Sequence, residues 1–305
     1  MRNAIFAVVA ACTLSNIACA DAANIVSPSA WVPGLGKDAP ACGSTTAPCR
    51  TFEYAYGVVV PGGSIFVKDA ADYSAQAPLV ITHAISIINK SSGTATIVAH
   101  SGDGIDVEAG ASDNVYIEGL TIDGAGGGDA GINIVSAASV TIEHCLIKSF
   151  DAPGNNGGQG DGILVEPQSG TLAFTVTDTV ISGNAYIGVF VVPGLVNSGA
   201  TATVSGTLTR VAVVSNQQGV VLNDFANSGA LTVIATEVDA SGNSGDGFYV
   251  NSGSSSASLY LNRATATGNL KYGVENLGKL YTYKDNSINN NVKDLSAPLT
   301  AAALQ

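Results

Sequence analysis

One short phrase recurs along the chain, in which a glycine is followed by an apolar, a variable and, in most copies, another apolar residue. Successive copies are separated by 27, 31, 26, 31, 28 and 26 residues. The alternation within each copy is typical of a strand with one buried face. The copies begin at Gly104, Gly131, Gly162, Gly188, Gly219, Gly247 and Gly273.

Each copy opens a unit of three short alternating strands with no helical pattern between them, which excludes βαβ units. Hairpins are disfavoured, because the repeating glycine then would not fall at one corner of every unit. We therefore predict an all-β right-handed parallel β-helix, a solenoid of three parallel sheets with a short N-terminal cap helix. Its predicted inward column is Ile105, Ile132, Ile163, Val189, Val220, Phe248 and Val274.

Amide residues recur where the third strand of a unit ends. Asn184, Asn243 and Asn269 occupy equivalent positions, with Asn216 offset by one. We predict an Asn ladder at a turn, in which side-chain amides hydrogen-bond from coil to coil, and we assign it a structural role.

The two ends differ from the repeats. A signal peptide is predicted from Arg2, the apolar stretch 4–17 and the Ala18-Cys19-Ala20 site, so we expect a secreted protein, extracellular or periplasmic.

Thr51 to Val60 is the one predicted helix. No later stretch is long enough to span a membrane. The predicted organisation is a signal peptide at 1–20, an N-terminal cap at 21–62, a β-helix at 63–291 and a C-terminal cap at 292–305.

The composition excludes further classes of protein. The 305 residues include 36 glycines, only 12 Lys and Arg, and 24 Asp and Glu, for a net charge of -12. A chain that is 46% apolar and so poorly charged is neither disordered nor a helical bundle. The basic residues are scattered singly, which argues against nucleic acid as a partner. We expect a monomer.

The cysteines fit an oxidising compartment. Cys42 and Cys49 bracket a short polar loop, and we predict a disulfide between them. Cys145 lies in an alternating apolar run, and we read it as a buried small hydrophobe rather than a nucleophile.

The chain resembles a known group. Trp31–Asp38, Ala47–Phe52, Gly62–Val67 with Tyr73, and the ending Leu280–Asn291 resemble secreted bacterial right-handed parallel β-helix repeat proteins of the pectate-lyase-like superfamily. The resemblance implies the fold over essentially the whole mature chain. It leaves function open, because the superfamily holds polysaccharide lyases, glycoside hydrolases, esterases and adhesins.

One modest group of ionisable residues is a candidate site. We expect Glu118 to stack on Glu143, followed in that column by Thr177 and Arg210, with Asp123 and Lys148 further along the same face. If the group is a site, Ca²⁺ would be bound by Glu118, Glu143 and Asp123. Lys148, together with Glu143 and His144, would then perform lyase chemistry. As a ladder, Asp123–Lys148, His144–Asp178 and Glu237–Arg263–Asp285 would form ordinary surface pairs. If these residues form only a ladder of surface pairs, the protein requires no cofactor.

Apolar residues also point outward from the first sheet, among them Leu164, Val221, Phe190 and Tyr249. An exposed apolar strip is unusual in a monomer. Either the long corner loops at 151–160 and 193–200 cover it, or Phe190 and Tyr249 bind sugar rings.

Two functional hypotheses remain open at this point. The first is a non-catalytic extracellular β-helix protein with a structural or glycan-binding role, binding a polysaccharide or cell-surface glycan. The alternative is a polysaccharide lyase or hydrolase that acts on acidic glycans.

Overall fold

The computed structural model describes residues 23–26, 36–40, 42–44, 46–73, 78–89, 91, 93–151, 160–195, 199–224, 227–251 and 256–302. The predicted signal peptide and Trp31 lie outside these ranges, as does most of the loop at 151–160. Within these ranges, no helix is long and apolar enough to cross a bilayer.

Three parallel sheets run the length of the molecule, and consecutive strands of the chain pass from one sheet to the next. Sheet 1 carries the repeated glycine phrase. Its strands are β4 (Leu79–Ile81), β7 (Ile105–Glu108), β10 (Ala130–Ser136), β13 (Asp161–Val165), β16 (Ile187–Val191), β19 (Gln218–Leu222), β21 (Phe248–Val250), β24 (Tyr272–Asn276) and β27 (Lys293–Leu295).

Sheet 2 follows sheet 1 in each coil from β4 onward and has eleven strands among the described residues. They are β1 (Ala23–Val26), β2 (Gly63–Val67), β5 (Ile85–Asn89), β8 (Asn114–Glu118), β11 (Ser139–Glu143), β14 (Thr171–Thr177), β17 (Thr203–Thr209), β20 (Leu231–Thr236), β22 (Ala257–Asn262), β25 (Lys279–Thr282) and β28 (Thr300–Ala301).

Sheet 3 completes each coil. Its six strands are β3 (Ala71–Asp72), β6 (Ala95–Val98), β9 (Leu120–Gly127), β12 (Leu146–Phe150), β15 (Val180–Ser182) and β18 (Ala212–Val214). It continues through bridges at Asp239 into a parallel pair, β23 (Thr265–Thr267) and β26 (Ser287–Asn289). The predicted parallel β-helix is thereby confirmed.

The predicted inward column is also confirmed. Its seven members pair in register from coil to coil and are fully buried. A glycine precedes each member of this column because a larger residue would not fit there. A Cβ on Gly162 would lie 2.3 Å from Cγ2 of Ile181 and 2.5 Å from the carbonyl oxygen of Gly188 in the next coil.

The Asn ladder forms at the corner between sheets 3 and 1, and Asn216 is part of it rather than offset. Asn184 Nδ2 donates to Asn216 Oδ1 at 2.9 Å, and Asn243 Nδ2 donates to Asn269 Oδ1 at 3.1 Å. The ladder extends one coil further, because Asn269 Nδ2 donates to Asn291 Oδ1. Each buried amide therefore satisfies its hydrogen bonds from its neighbours.

The N-terminal segment packs on the first coils. Helix α1 (Phe52–Val58) begins at Thr51, whose side chain accepts the backbone N–H of Tyr54. Phe52 is buried, and its ring lies 5.0 Å from that of Tyr73. The predicted disulfide is present between Cys42 and Cys49, with a Cα–Cα distance of 4.9 Å.

The C-terminal segment adds strands to two of the sheets. The segment that we predicted as a cap at 292–305 contains β27, which pairs with β24, and β28, which pairs with β25. Sheets 1 and 2 therefore continue to the end of the described chain.

The steric role of the corner glycines predicts a specific stability effect. Gly162→Ala should lower the free energy of unfolding by about 2 kcal/mol, because both the Ile181 side chain and a neighbouring backbone carbonyl would have to move. Gly57→Ala is the control, since a Cβ there meets nothing within 4 Å and the residue lies in α1. Urea unfolding measures both, and equal stabilities of the two variants would contradict this explanation of the repeat.

Candidate functional site

Glu118 and Glu143 are register partners at the ends of β8 and β11, as expected. The hydroxyl of Tyr116 lies between them, 2.8 Å from Glu143 Oε2 and 3.2 Å from Glu118 Oε2. Burial, the hydrogen bond to Glu143 and the two negative charges raise the pKa of Tyr116. A neutral phenol thus joins the two carboxylates.

Asp123 and Lys148 pair across β9 and β12 and form an ion pair. Burial alone would raise the pKa of Asp123, but hydrogen bonds from Lys148 and from the backbone N–H of Ala125 outweigh it, so the pKa is lowered. Among the described residues, no three His, Cys, Asp or Glu side chains are grouped to hold a metal ion, and these acidic residues are included. Their roles as Ca²⁺ ligands or catalysts stay predictions.

His144 belongs to a column of residues with positive φ at the corner between sheets 2 and 3. Its Nε2 lies 3.7 Å from Asp178 Oδ2, and Arg210 donates two hydrogen bonds of 2.7 and 2.8 Å to the same carboxylate. The expected position of Arg210 was wrong by one residue. Thr209 is the partner of Thr177, so Arg210 falls in the column of Asp178.

Three surface pairs of the ladder interpretation are present in the structure, Asp123–Lys148, His144–Asp178 and Glu237–Arg263. Arg263 Nη2 lies 2.8 Å from Glu237 Oε1, and the backbone N–H of Arg263 donates to Asp285. The hydrogen bond from Arg210 is the main reason that the pKa of Asp178 is lowered. Exposed pairs of this kind contribute little to stability, because solvent screens them.

Phe190 and Tyr249 lie in the outward column of sheet 1, but their surroundings differ. Phe190 is 7% exposed and packs in a second buried cluster with Leu164, Val192 and Val221. Tyr249 is half-buried at the edge of that cluster, with Lys271 Nζ 5.9 Å from its ring centroid. Binding of a ligand by Phe190 and Tyr249 stays a prediction, and Tyr249 is the more accessible ring.

A second group of acids occupies the other end of this outer face. We call it the acidic cluster, and it consists of Asp103, Asp106, Asp129 and Glu166 around the amide of Asn133. Asp106 points outward from β7, and Asn133 is its register partner on β10. Asp103 and Asp129 lie just before these two strands, whereas Glu166 follows β13. Three successive coils therefore contribute to one site.

Asn133 holds the cluster together. Its Nδ2 donates to Asp103 Oδ2 at 3.3 Å and to Glu166 Oε1 at 3.2 Å, so these oxygens can be no further apart than the sum of the two distances. Asn133 is 7% exposed and Glu166 3% exposed, whereas Asp103 and Asp106 are half-buried. In the described part of the chain, Asn133 Oδ1 and Glu166 Oε2 are buried without a hydrogen-bond partner.

The environment favours protonated carboxyl groups. Burial, and then the hydrogen bond and charge of Asp106, raise the pKa of Asp103 to about 8. Burial, which outweighs the hydrogen bond from Asn133, raises the pKa of Glu166 to about 7. Burial and the charge of Asp106 also raise the pKa of Asp129. The arrangement can therefore hold a proton donor at neutral pH beside another carboxyl group.

The sequence carried a signal for this site that we did not use. The dipeptide Asp-Gly precedes three of the repeated strands, at Asp103, Asp161 and Asp246. Asp161 accepts the backbone N–H of Ile187, and Asp246 accepts that of Tyr272, which are structural roles. Asp103 differs because its strand also carries Asp106 at the outward position. The corresponding residues of the other two strands are Leu164 and Tyr249.

Comparisons with known proteins bear on the fold. No protein-family model matches the sequence, and no curated protein matches it. Among solved structures, the chain is similar to pectate lyase Pel9A, with a TM-score of 0.55 and 16% sequence identity. The alignment covers 92% of this chain and 78% of that chain. At this identity the likeness shows the fold alone, which is the predicted right-handed parallel β-helix.

The buried carboxyl of Glu166 predicts how stability depends on pH. Its pKa is 4.5 in an unperturbed side chain and about 7 in the fold. Between these values the folded protein keeps a proton that the unfolded chain has released, so the free energy of unfolding should fall as pH rises through that window. Glu166→Gln removes this contribution and should raise stability at pH 7.5 by roughly 1–3 kcal/mol.

The measurement is urea unfolding at several pH values from 4.5 to 7.5. Glu108→Gln is the matched control, because Glu108 is exposed at the end of β7. If Glu166→Gln and the wild type lost stability in parallel over this range, the carboxyl would not be held protonated by the fold.

Proposed function

We propose that this protein is secreted, binds an extracellular polysaccharide and hydrolyses its glycosidic bonds at the acidic cluster. The observation that carries the proposal is the amide of Asn133, which holds Asp103 and Glu166 together beside Asp106 at the surface of sheet 1. Two carboxyl groups in different environments are the usual requirement for glycoside hydrolysis.

The roles follow from exposure. Asp103 is half-buried and would donate its proton to the glycosidic oxygen as the bond from that oxygen to the anomeric carbon breaks. Asp106 hydrogen-bonds to Asp103 and lies too close to it for a sugar and a water to fit between them, so another carboxylate of the cluster would accept a proton from the water that attacks the anomeric carbon. Glu166 is buried and contacts Asn133, so we assign it a positioning role.

Two further observations support an extracellular polysaccharide as the substrate. The Cys42–Cys49 disulfide suits an oxidising compartment, as does the signal-peptide pattern at residues 1–20. The solved structure with the similar fold is that of a pectate lyase, an enzyme named for a polysaccharide.

A non-catalytic glycan-binding protein is the second candidate. It is favoured by Tyr249, whose half-buried ring lies near Lys271 and has the amphipathic character of sugar-binding surfaces. The lyase alternative has less support, because Lys148 is paired with Asp123 and the phenol of Tyr116 lies between Glu118 and Glu143.

Release of reducing ends from a panel of neutral and acidic polysaccharides tests hydrolysis. Asp103→Asn should lower the rate by about 100-fold or more, the usual contribution of a general acid. Glu108→Gln should retain the wild-type rate. The rate should also fall as pH rises above about 8, where the donor loses its proton.

Three results would overturn the proposal in different ways. The absence of product from every substrate would leave the glycan-binding hypothesis, which loss of binding in Tyr249→Ala would then support. An unsaturated product whose formation required Lys148 would favour the lyase instead. Full activity in Asp103→Asn would move the catalytic site elsewhere.

A further inference from the structure

A groove of about 540 Å³ runs along the corner between sheets 3 and 1. Five successive coils line it, from Gly126 in the first to Ser244 in the last. Its volume lies within the range of sites that bind small molecules or short segments of a polymer. None of the residues that we predicted as functional lies in it.

The floor of the groove is the Asn ladder. The amides of Asn184 and Asn216 donate hydrogen bonds to neighbouring coils, which fix their side chains in the base of the groove. Gly183 and Gly242 keep the space above it open, because a Cβ on either would meet nothing within 4 Å. Among the described residues, the groove is therefore open to an extended chain.

The spacing of the coils along the groove favours a linear ligand. Parallel coils repeat about every 4.8 Å, so the groove offers similar polar groups at that interval along the solenoid axis. One pyranose of an extended β-1,4-linked chain advances by a similar distance. The exposed side chains of Ser215, Gln217 and Ser244 are placed to hydrogen-bond such hydroxyl-rich units.

The charge of the residues that line the groove favours a neutral ligand. Its residues are Gly, Ala, Ser, Asn and Gln with one acid, Asp151, and no Lys or Arg occurs among its described residues. The whole chain carries a net charge of -12, so a polyuronate would be repelled. This differs from the acidic glycan expected from sequence.

We propose that this groove binds a neutral, β-1,4-linked polysaccharide chain lying along the solenoid axis. The inference rests on the proposed function only in taking the ligand to be a polysaccharide, and it names the substrate class. The groove begins at Gly126, three residues before Asp129, and the backbone N–H of Asp151 donates to the carbonyl of Gly127. A chain in the groove would therefore extend toward the acidic cluster.

Calorimetric titration of the Asp103→Asn variant tests binding without cleavage. The ligands are cellohexaose, mannohexaose and hexagalacturonate. At least one neutral hexamer should bind, and hexagalacturonate should bind about tenfold more weakly or not at all. The double variant Ala185→Leu, Ser244→Leu, made in the same background, should weaken neutral binding about tenfold, because exposed leucines narrow the groove without adding a ring or a charge.

The matched control is Thr203→Leu with Ser205→Leu, two exposed positions on the outer face of β17. It should bind like the parent, and equal melting temperatures show that both double variants are folded. A second arm replaces the same groove residues by lysine, Ala185→Lys with Ser244→Lys. This variant should bind hexagalacturonate more tightly, and added salt should reverse the gain.

Failure of both neutral hexamers to bind, or unchanged binding in the leucine groove variant, would overturn the inference. These results are separate from the proposed function. Binding of a neutral hexamer without hydrolysis by the wild type would support the groove and contradict the catalytic role of the acidic cluster. Hydrolysis that the same two leucine substitutions leave unchanged in the otherwise wild-type protein would contradict the groove and support the catalytic role of the acidic cluster.

Discussion

The structure depends on one constraint, the parallel hydrogen bonding of each coil to the next. At a separation of about 4.8 Å, every side chain lies directly against its equivalents in the neighbouring coils. A corner can then be shared by all coils only if its residue leaves room for the next carbonyl, which is why glycine recurs there. Buried amides are tolerated beside these glycines for the same reason, since Asn184 Nδ2 donates to Asn216 Oδ1 of the next coil and Asn216 Nδ2 donates to the carbonyl of Ile181.

This constraint explains how much could be read from the sequence. The glycine phrase and the inward column from Ile105 to Val274 depend only on alternation and a repeated corner, and both were correct. The Asn ladder was found with one residue placed wrongly. Arg210 was misplaced for a related reason, because a one-residue error at a tight corner moves a side chain into the neighbouring column.

The acidic cluster was not found because no single strand contains it. Asp103, Asp129 and Glu166 flank strands rather than lie within them, and the units they come from differ in length. Their environment also depends on burial, which alternation does not specify at corners. Phe190 illustrates the same limit. Its outward direction was clear from sequence, but the second apolar cluster that covers it is built from residues of several coils.

The Asn ladder has a direction. The backbone N–H of Phe150 donates to Asn184 Oδ1, that of Asn184 to Asn216 and that of Asn269 to Asn291, so each coil is completed by an acceptor that is synthesised later. The last amide donates to Asp294 Oδ1, which ends the series. In a chain that folds from its N-terminus, the amide of the last completed coil would therefore hydrogen-bond to water until the next coil supplies its acceptor. Asp294 takes the place of that next coil, so the series of amides ends on a carboxylate.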